Sequence, residues 1–95
     1  MKRILIPSQA FLRAAKKVAK RNPRNEADIR ATLALLSTDA YHPRLKTHKL
    51  QGEWEHSWAC SAGYDVRIIF EFVKEEGKKG EDIFLIEIGT HDEVY

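Results

Sequence analysis

Apolar residues recur along this chain at two different spacings, and the change of spacing divides it. Over residues 9–21 Phe11, Ala15, Val18 and Ala19 fall on one stripe with period near 3.6, while Arg13, Lys16, Lys17, Lys20 and Arg21 take the rest of the surface. That pattern predicts an amphipathic helix, and Ser8 just before it is a suitable N-cap. Asn22-Pro23 ends it. Asn22 can cap and Pro23 can open a second helix running to about Leu36, with Ile29, Leu33 and Leu36 at i, i+4, i+7. Ahead of the pair, Lys2 to Pro7 reads as a short strand stopped by proline. Two helices on a tight turn form an αα-hairpin whose apolar stripes need a sheet to cover.

Residues 37–50 are expected to be loop. Beyond them the period falls to two. Glu53 to Cys60 alternates with Trp54, Trp58 and Cys60 on one face. Val66 to Val73 places Val66, Ile68, Phe70 and Phe72 on one face and Asp65, Arg67, Ile69 and Glu71 on the other. The charged segment 74–80 is a hairpin loop into a strand over 82–88, from which the chain is expected to leave by a Gly89-Thr90 turn. The predicted architecture is therefore α+β: an N-terminal strand, an αα-hairpin, then a three-stranded antiparallel meander. All 95 residues form one small domain, with the helices on one sheet face and the other face partly open.

Composition changes this picture in one respect. A net charge of +2 is bland, but residues 1–50 hold twelve Lys/Arg against three acids, and residues 51–95 hold four against eleven. The first half is thus an electropositive surface suited to a polyanion or an acidic partner. A lone cysteine, Cys60, excludes an intrachain disulfide and reads as a half-buried small residue. No apolar run approaches a membrane span, and no leader pattern is present, so a reducing cytoplasm is the expected location. The four histidines lack the short spacings of metal sites, and neither a metal nor an organic cofactor is expected. So short a chain has little room for a deep internal cavity, which favours a surface site and a macromolecular substrate.

Candidate chemistry gathers late in the chain. A histidine can move a proton either way near neutral pH, and an exposed tyrosine offers a flat face to an unstacked base. Both follow the last strand, as His91 and Tyr95. His48-Lys49-Leu50-Gln51-Gly52-Glu53-Trp54 resembles the HxLxGxW segment that leads into the sheet in the RelE/ParE superfamily of toxins. Gly63-Tyr64-Asp65-Val66-Arg67-Ile68-Ile69-Phe70 resembles that superfamily's third-strand pattern, and Gly89-Thr90-His91-Asp92-Glu93-Val94-Tyr95 resembles the GTHxxLF ending of its YafQ branch.

The resemblance implies a toxin of a type II toxin–antitoxin pair: an endoribonuclease that cuts messenger RNA in the ribosomal A site and is silenced by a cognate antitoxin. By position, His48, Asp65 and His91 match the branch's histidines and aspartate. Tyr95 takes the place of its terminal aromatic, and Arg67 matches an arginine that RelE relatives set on the scissile phosphate. Ser61 departs from the pattern, standing where the YafQ branch has a further histidine. On this reading the substrate's own 2′-hydroxyl attacks the phosphate. His91 is the leading proton-transfer candidate, His48 and Asp65 are base or base-orienting candidates, Arg67 stabilises the phosphorane, and Tyr95 stacks on a base. Lys16, Lys17, Lys20, Arg21, Lys46 and Lys49 are the expected RNA-binding cations. Two other readings stay open: a ParE-like toxin acting on DNA gyrase without nuclease chemistry, and a decayed toxin that only binds its antitoxin.

Overall fold

The computed structural model describes residues 2–52 and 55–94. Elements run in the order β1 (Leu5–Pro7), α1 (Gln9–Arg21), α2 (Pro23–Thr38), a 3-10 turn (Pro43–Leu45), β2 (His48–Lys49), β3 (Trp58–Ser61), β4 (Val66–Val73), β5 (Asp82–Thr90) and α3 (His91–Val94). They form an α+β fold with one five-stranded sheet of order β1-β5-β4-β3-β2.

Both predicted helices are present, for the predicted reasons. The Ser8 hydroxyl accepts from the Phe11 amide at 3.0 Å and opens α1. Asn22 caps α2 through the Arg24 amide at 3.0 Å, with Pro23 in the first turn. Asn25 then donates from Nδ2 to the Val18 carbonyl at 2.9 Å, satisfying one of the acceptors that the end of α1 leaves open. Phe11, Val18, Ile29 and Leu36 bury their side chains against Cys60, Ile68, Phe70, Ile83, Leu85 and Ile88 of the sheet. Fully buried Leu36 and Phe70 each contribute on the order of 2–3 kcal/mol by removal of apolar surface from water.

The strands depart from expectation in four places. The first strand is confined to Leu5–Pro7 and pairs in parallel with β5, Leu5 opposite Ile83 and Pro7 opposite Leu85. Proline is tolerated there because β1 is an edge. The strand expected over 53–60 begins only at Trp58, because the chain first turns. Glu55 N–H bonds to the Gly52 carbonyl at 3.2 Å and Leu50 N–H to Ser57 at 2.9 Å. That turn brings His48–Lys49, expected to be loop, beside Ala59 and Trp58 as a further antiparallel strand. The meander therefore has four strands, not three. Glu53 and Trp54, assigned to that strand, lie outside the described residues.

The third departure is at the end of β5. Gly89 and Thr90 do not turn; they stay in the ladder opposite Arg67 and Val66, and the chain then coils into α3. The fourth is inside β5. Ile69 pairs with Glu87 but Phe70 pairs with Leu85, so Ile86 is an extra residue, a β-bulge. Its effect is a switch of parity: Ile83 and Leu85 face the core before it and Ile88 after it. The Ser8 hydroxyl that caps α1 also donates to the Ile86 carbonyl at 3.0 Å, so the bulge is tied to the start of α1.

Cys60 is fully buried rather than half-buried, and burial pushes its thiol up to about 12, which leaves it unreactive as a nucleophile near neutral pH. At the opposite end from the strand termini, Trp58 packs edge-on to Phe72 at 5.4 Å, Tyr41 stacks on Phe72 at 5.7 Å, and the Arg3 guanidinium lies 5.0 Å above the Phe72 ring.

Candidate functional site

The ends of β3 and β5 and the start of β4 lie at the same end of the sheet, where α2 and the 3-10 turn also arrive. A surface cavity of about 690 Å³ opens between them. Asp65, Arg67, His91 and Lys46, four residues singled out from the sequence, all line it. They come from three separate segments, so their convergence is a property of the fold and not of sequence proximity. The site is a groove at the sheet's end, not a broad patch on its open face.

Arg67 is on β4, with Nη1 donating to the carbonyls of Val66 at 3.0 Å and Tyr64 at 3.4 Å. Those bonds fix the guanidinium against the β3–β4 turn. Asp65 lies in that turn and not in the strand, and among the described residues no carboxylate forms an ion pair with Arg67. Asp65 meets His91 instead through the backbone, its carbonyl accepting from the His91 amide at 3.0 Å. Ser61 lies opposite Arg67 in the β3–β4 register and also lines the groove.

His91 opens α3, and α3 is held by its own last turn. The Glu93 carboxylate accepts from the Thr90 amide at 2.9 Å, the reach-back half of a capping box. Both of its oxygens also take the Arg21 guanidinium, at 2.8 and 2.9 Å. Arg21 and the Thr90 amide hold the Glu93 carboxyl far down, at about 2. Gly89 is needed beneath: a Cβ there would come within 3.0 Å of Val94 Cγ1 and 3.2 Å of Glu93 Cβ, so glycine lets α3 fold back over the strand that precedes it. The Thr90-x-x-Glu93 spacing is the signal of this cap in the sequence.

The 3-10 turn delivers two cations. His42 accepts the Arg44 amide on Nδ1 at 3.1 Å and so caps it, a role the sequence did not suggest. Arg44 and Lys46 both reach the groove. Lys46 has φ +52°, and among the described residues it alone takes a positive φ without being glycine. That strained backbone sits beside the cluster of charged groups.

The remaining candidates divide. His48 is exposed on β2 and does not line the groove; its Nδ1 donates to the Lys46 carbonyl at 2.9 Å. The pairings His48–Ala59–Ile69 and Ser61–Arg67 put it on the same sheet face as Arg67, offset by two residues, roughly 7 Å, along the strand direction. Lys49 is exposed next to it. Lys16, Lys17 and Lys20 are exposed on α1, whereas Arg21 is engaged by Glu93. Tyr95 lies outside the described residues. One aromatic was missed: Tyr64, in the β3–β4 turn, lines the groove and is 99% exposed. Among the described residues no cluster of three His, Cys, Asp or Glu side chains is arranged to hold a metal ion, and no helix is long and apolar enough to cross a membrane.

Solved structures share this fold. The fold matches YafQ in the Escherichia coli DinJ–YafQ complex at a TM-score of 0.76 and 19% identity, with 99% of each chain covered. It matches a YoeB/ParE toxin from Agrobacterium tumefaciens at 0.73 and 13% identity, covering 96% of this chain and 99% of that one. A third match is the Mycobacterium tuberculosis toxin–antitoxin complex RelBE2, at 0.70 and 14% identity, covering 96% of this chain and 100% of that one. No curated protein sequence matches the chain. The family model described as bacterial toxin of type II toxin–antitoxin system, YafQ, matches residues 3–95. With nearly its whole length matched, and with the RelE-like fold around it, the chain belongs to the YafQ family of type II toxin–antitoxin toxins.

Proposed function

We propose that this toxin is an endoribonuclease that cuts messenger RNA on the ribosome without a metal ion, and that a cognate antitoxin restrains it. The observation that carries the reading is the convergence of Arg67, His91 and Asp65 on one open groove, flanked by Arg44 and Lys46. In such a groove the 2′-oxygen of the substrate attacks the adjacent phosphorus, and the bond from phosphorus to the 5′-oxygen breaks. The products are a 2′,3′-cyclic phosphate and a free 5′-hydroxyl. The proton leaving the 2′-hydroxyl goes to a base, for which Asp65 and His48 are the candidates. His91 protonates the departing 5′-oxygen, and Arg67 balances the charge that grows on the phosphorane oxygens. Tyr95 completes the reading as a stacking residue at the chain's end.

His48 stands outside the groove but on the face of Arg67, so a strand of RNA that spans both would bring it into reach. Exposed Lys16, Lys17, Lys20 and Lys49 supply sequence-independent attraction for ribosomal RNA. The DinJ–YafQ and RelBE2 complexes are the basis for an antitoxin partner here. Ile4, Ile6 and Leu12 expose apolar area near the basic helix, which fits a partner segment that carries both acidic and apolar residues.

The experiment is to map messenger RNA 5′ ends after brief induction of the wild type, His91→Ala and Arg67→Ala. New ends inside reading frames, in register with codons and reduced about 10²–10⁴-fold in His91→Ala, are expected. Intact messages with arrested growth would replace this reading with a gyrase-type target. Intact messages with normal growth would leave a toxin that only binds its antitoxin, with Ser61 as the first position to restore to histidine.

A further inference from the structure

Tyr64 has no packing role to explain it. It sits in the β3–β4 turn at 99% exposure, and among the described residues its ring contacts no other aromatic. Water therefore surrounds a large apolar ring in a groove that is also lined by Arg44, Lys46, Asp65, Arg67 and His91. The turn itself is well fixed. The Tyr64 carbonyl accepts from Arg67, the Asp65 carbonyl accepts from the His91 amide, and the Ala62 amide donates to Val66 at 2.8 Å. On the α2 side the turn passes so close to Asp28 that a Cβ on Gly63 would lie 2.7 Å from the carboxylate. A hydrogen-bonded turn thus holds an uncovered ring in the groove that Arg67 and His91 also line.

We propose that Tyr64 is a stacking platform for an unpaired nucleobase next to the phosphate held by Arg67. The inference rests on the ribonuclease reading and adds a base-binding subsite to it. Arg67 and Tyr64 line the same groove, three residues apart, so a base next to a phosphate on the guanidinium is the group the ring would meet. Stacking is indifferent to base identity and contributes affinity before chemistry, so it acts on KM and not on the proton transfers. The base comes either from the message or from ribosomal RNA; the chemistry of the subsite is the same for both.

The test measures cleavage of a message in a cell-free translation reaction across a range of toxin concentrations, for wild type, Tyr64→Ala, Tyr64→Leu, Tyr64→Phe and Tyr64→Trp. A residue so exposed can be replaced without unfolding the chain. Tyr64→Ala and Tyr64→Leu are expected to lose about 5- to 150-fold at sub-saturating concentration and to recover the wild-type rate at saturation. Tyr64→Phe and Tyr64→Trp are expected to match wild type. A changed distribution of cut sites among codons in Tyr64→Ala assigns the base to the message; an unchanged distribution with weaker ribosome cosedimentation assigns it to ribosomal RNA. Cleavage by Tyr64→Ala equal to wild type, or a loss that persists at saturation, overturns the platform and leaves the nuclease standing. A wild type that cuts nothing overturns the nuclease reading and the platform together.

Discussion

Arg21 at the end of α1 grips both carboxylate oxygens of Glu93, one residue from the end of α3 and two after His91. The pair is half exposed, so its direct contribution to stability is small. Its importance is positional. It closes the short helix that begins with His91, and it does so with the carboxylate that also takes the Thr90 amide.

Glu93 therefore makes a pH prediction. Its carboxyl falls from an ordinary 4.5 to about 2 because Arg21, and after it Thr90, favour the ionised form. A depressed carboxylate stabilises the folded state above its unfolded value, and that contribution drains away as pH falls from about 4.5 toward 2. Urea unfolding should show wild type more stable than Glu93→Gln near neutral pH, with the two curves converging in that acid window. A constant difference across it would mean that Glu93 does not titrate with folding.

Lys46 should trade stability against activity. Its left-handed backbone costs a non-glycine residue on the order of 1 kcal/mol, and asparagine tolerates that conformation better. Lys46→Asn is expected to leave stability unchanged or to raise it by up to about 1 kcal/mol in chemical denaturation. The same variant loses a groove cation and should cleave more slowly, with a shallower dependence on salt.

Gly63→Ala should be destabilising by about 1–3 kcal/mol, since φ +102° is outside the region open to L side chains. A second change, Asp28→Ala, removes the carboxylate that the new methyl would meet but not the backbone strain. Thermal melts should accordingly show only partial rescue in the double variant; full rescue would mean that the contact, not φ, dominates.

Ser8→Ala removes a cap acceptor and, at the same atom, the donor to Ile86. A loss of about 1–2 kcal/mol is expected from urea titration, and Ser8→Thr should restore most of it.

Sequence signals were sharpest where local chemistry decides structure. Ser8 and Asn22-Pro23 fix helix boundaries because their side chains act on the adjacent backbone. Phe11, Ile29, Ile68 and Phe70 announce the core by period alone. His48–Lys49 was misread because a two-residue edge strand has no period; its pairing is imposed by the turn after Leu50. Gly89 was misread as a turn because glycine signals both turns and close approaches, and only α3 folding back reveals which. For the candidate site, Arg67, Asp65 and His91 were singled out by resemblance to a known pattern, and Lys46 by its place in the basic first half of the chain. Arg44 and Tyr64 were not. A single cation or ring in a turn carries no periodicity, and its significance arises only when distant segments meet around it.

The extra residue at Ile86 has a consequence for how this strand tolerates change. Because one added position reverses which side the following residues serve, the count of residues between Leu85 and His91 is what keeps the core and the groove in phase. Ile86 is half-buried, and it is its backbone carbonyl that accepts the Ser8 hydroxyl, so many side chains should substitute for it. Deleting it is another matter: the ladder would become regular, Ile88 would rotate off the core face, and the turn that follows would carry Glu93 away from Arg21. A scan of this strand should find a position that is permissive in identity and intolerant of loss, where length rather than chemistry is under constraint.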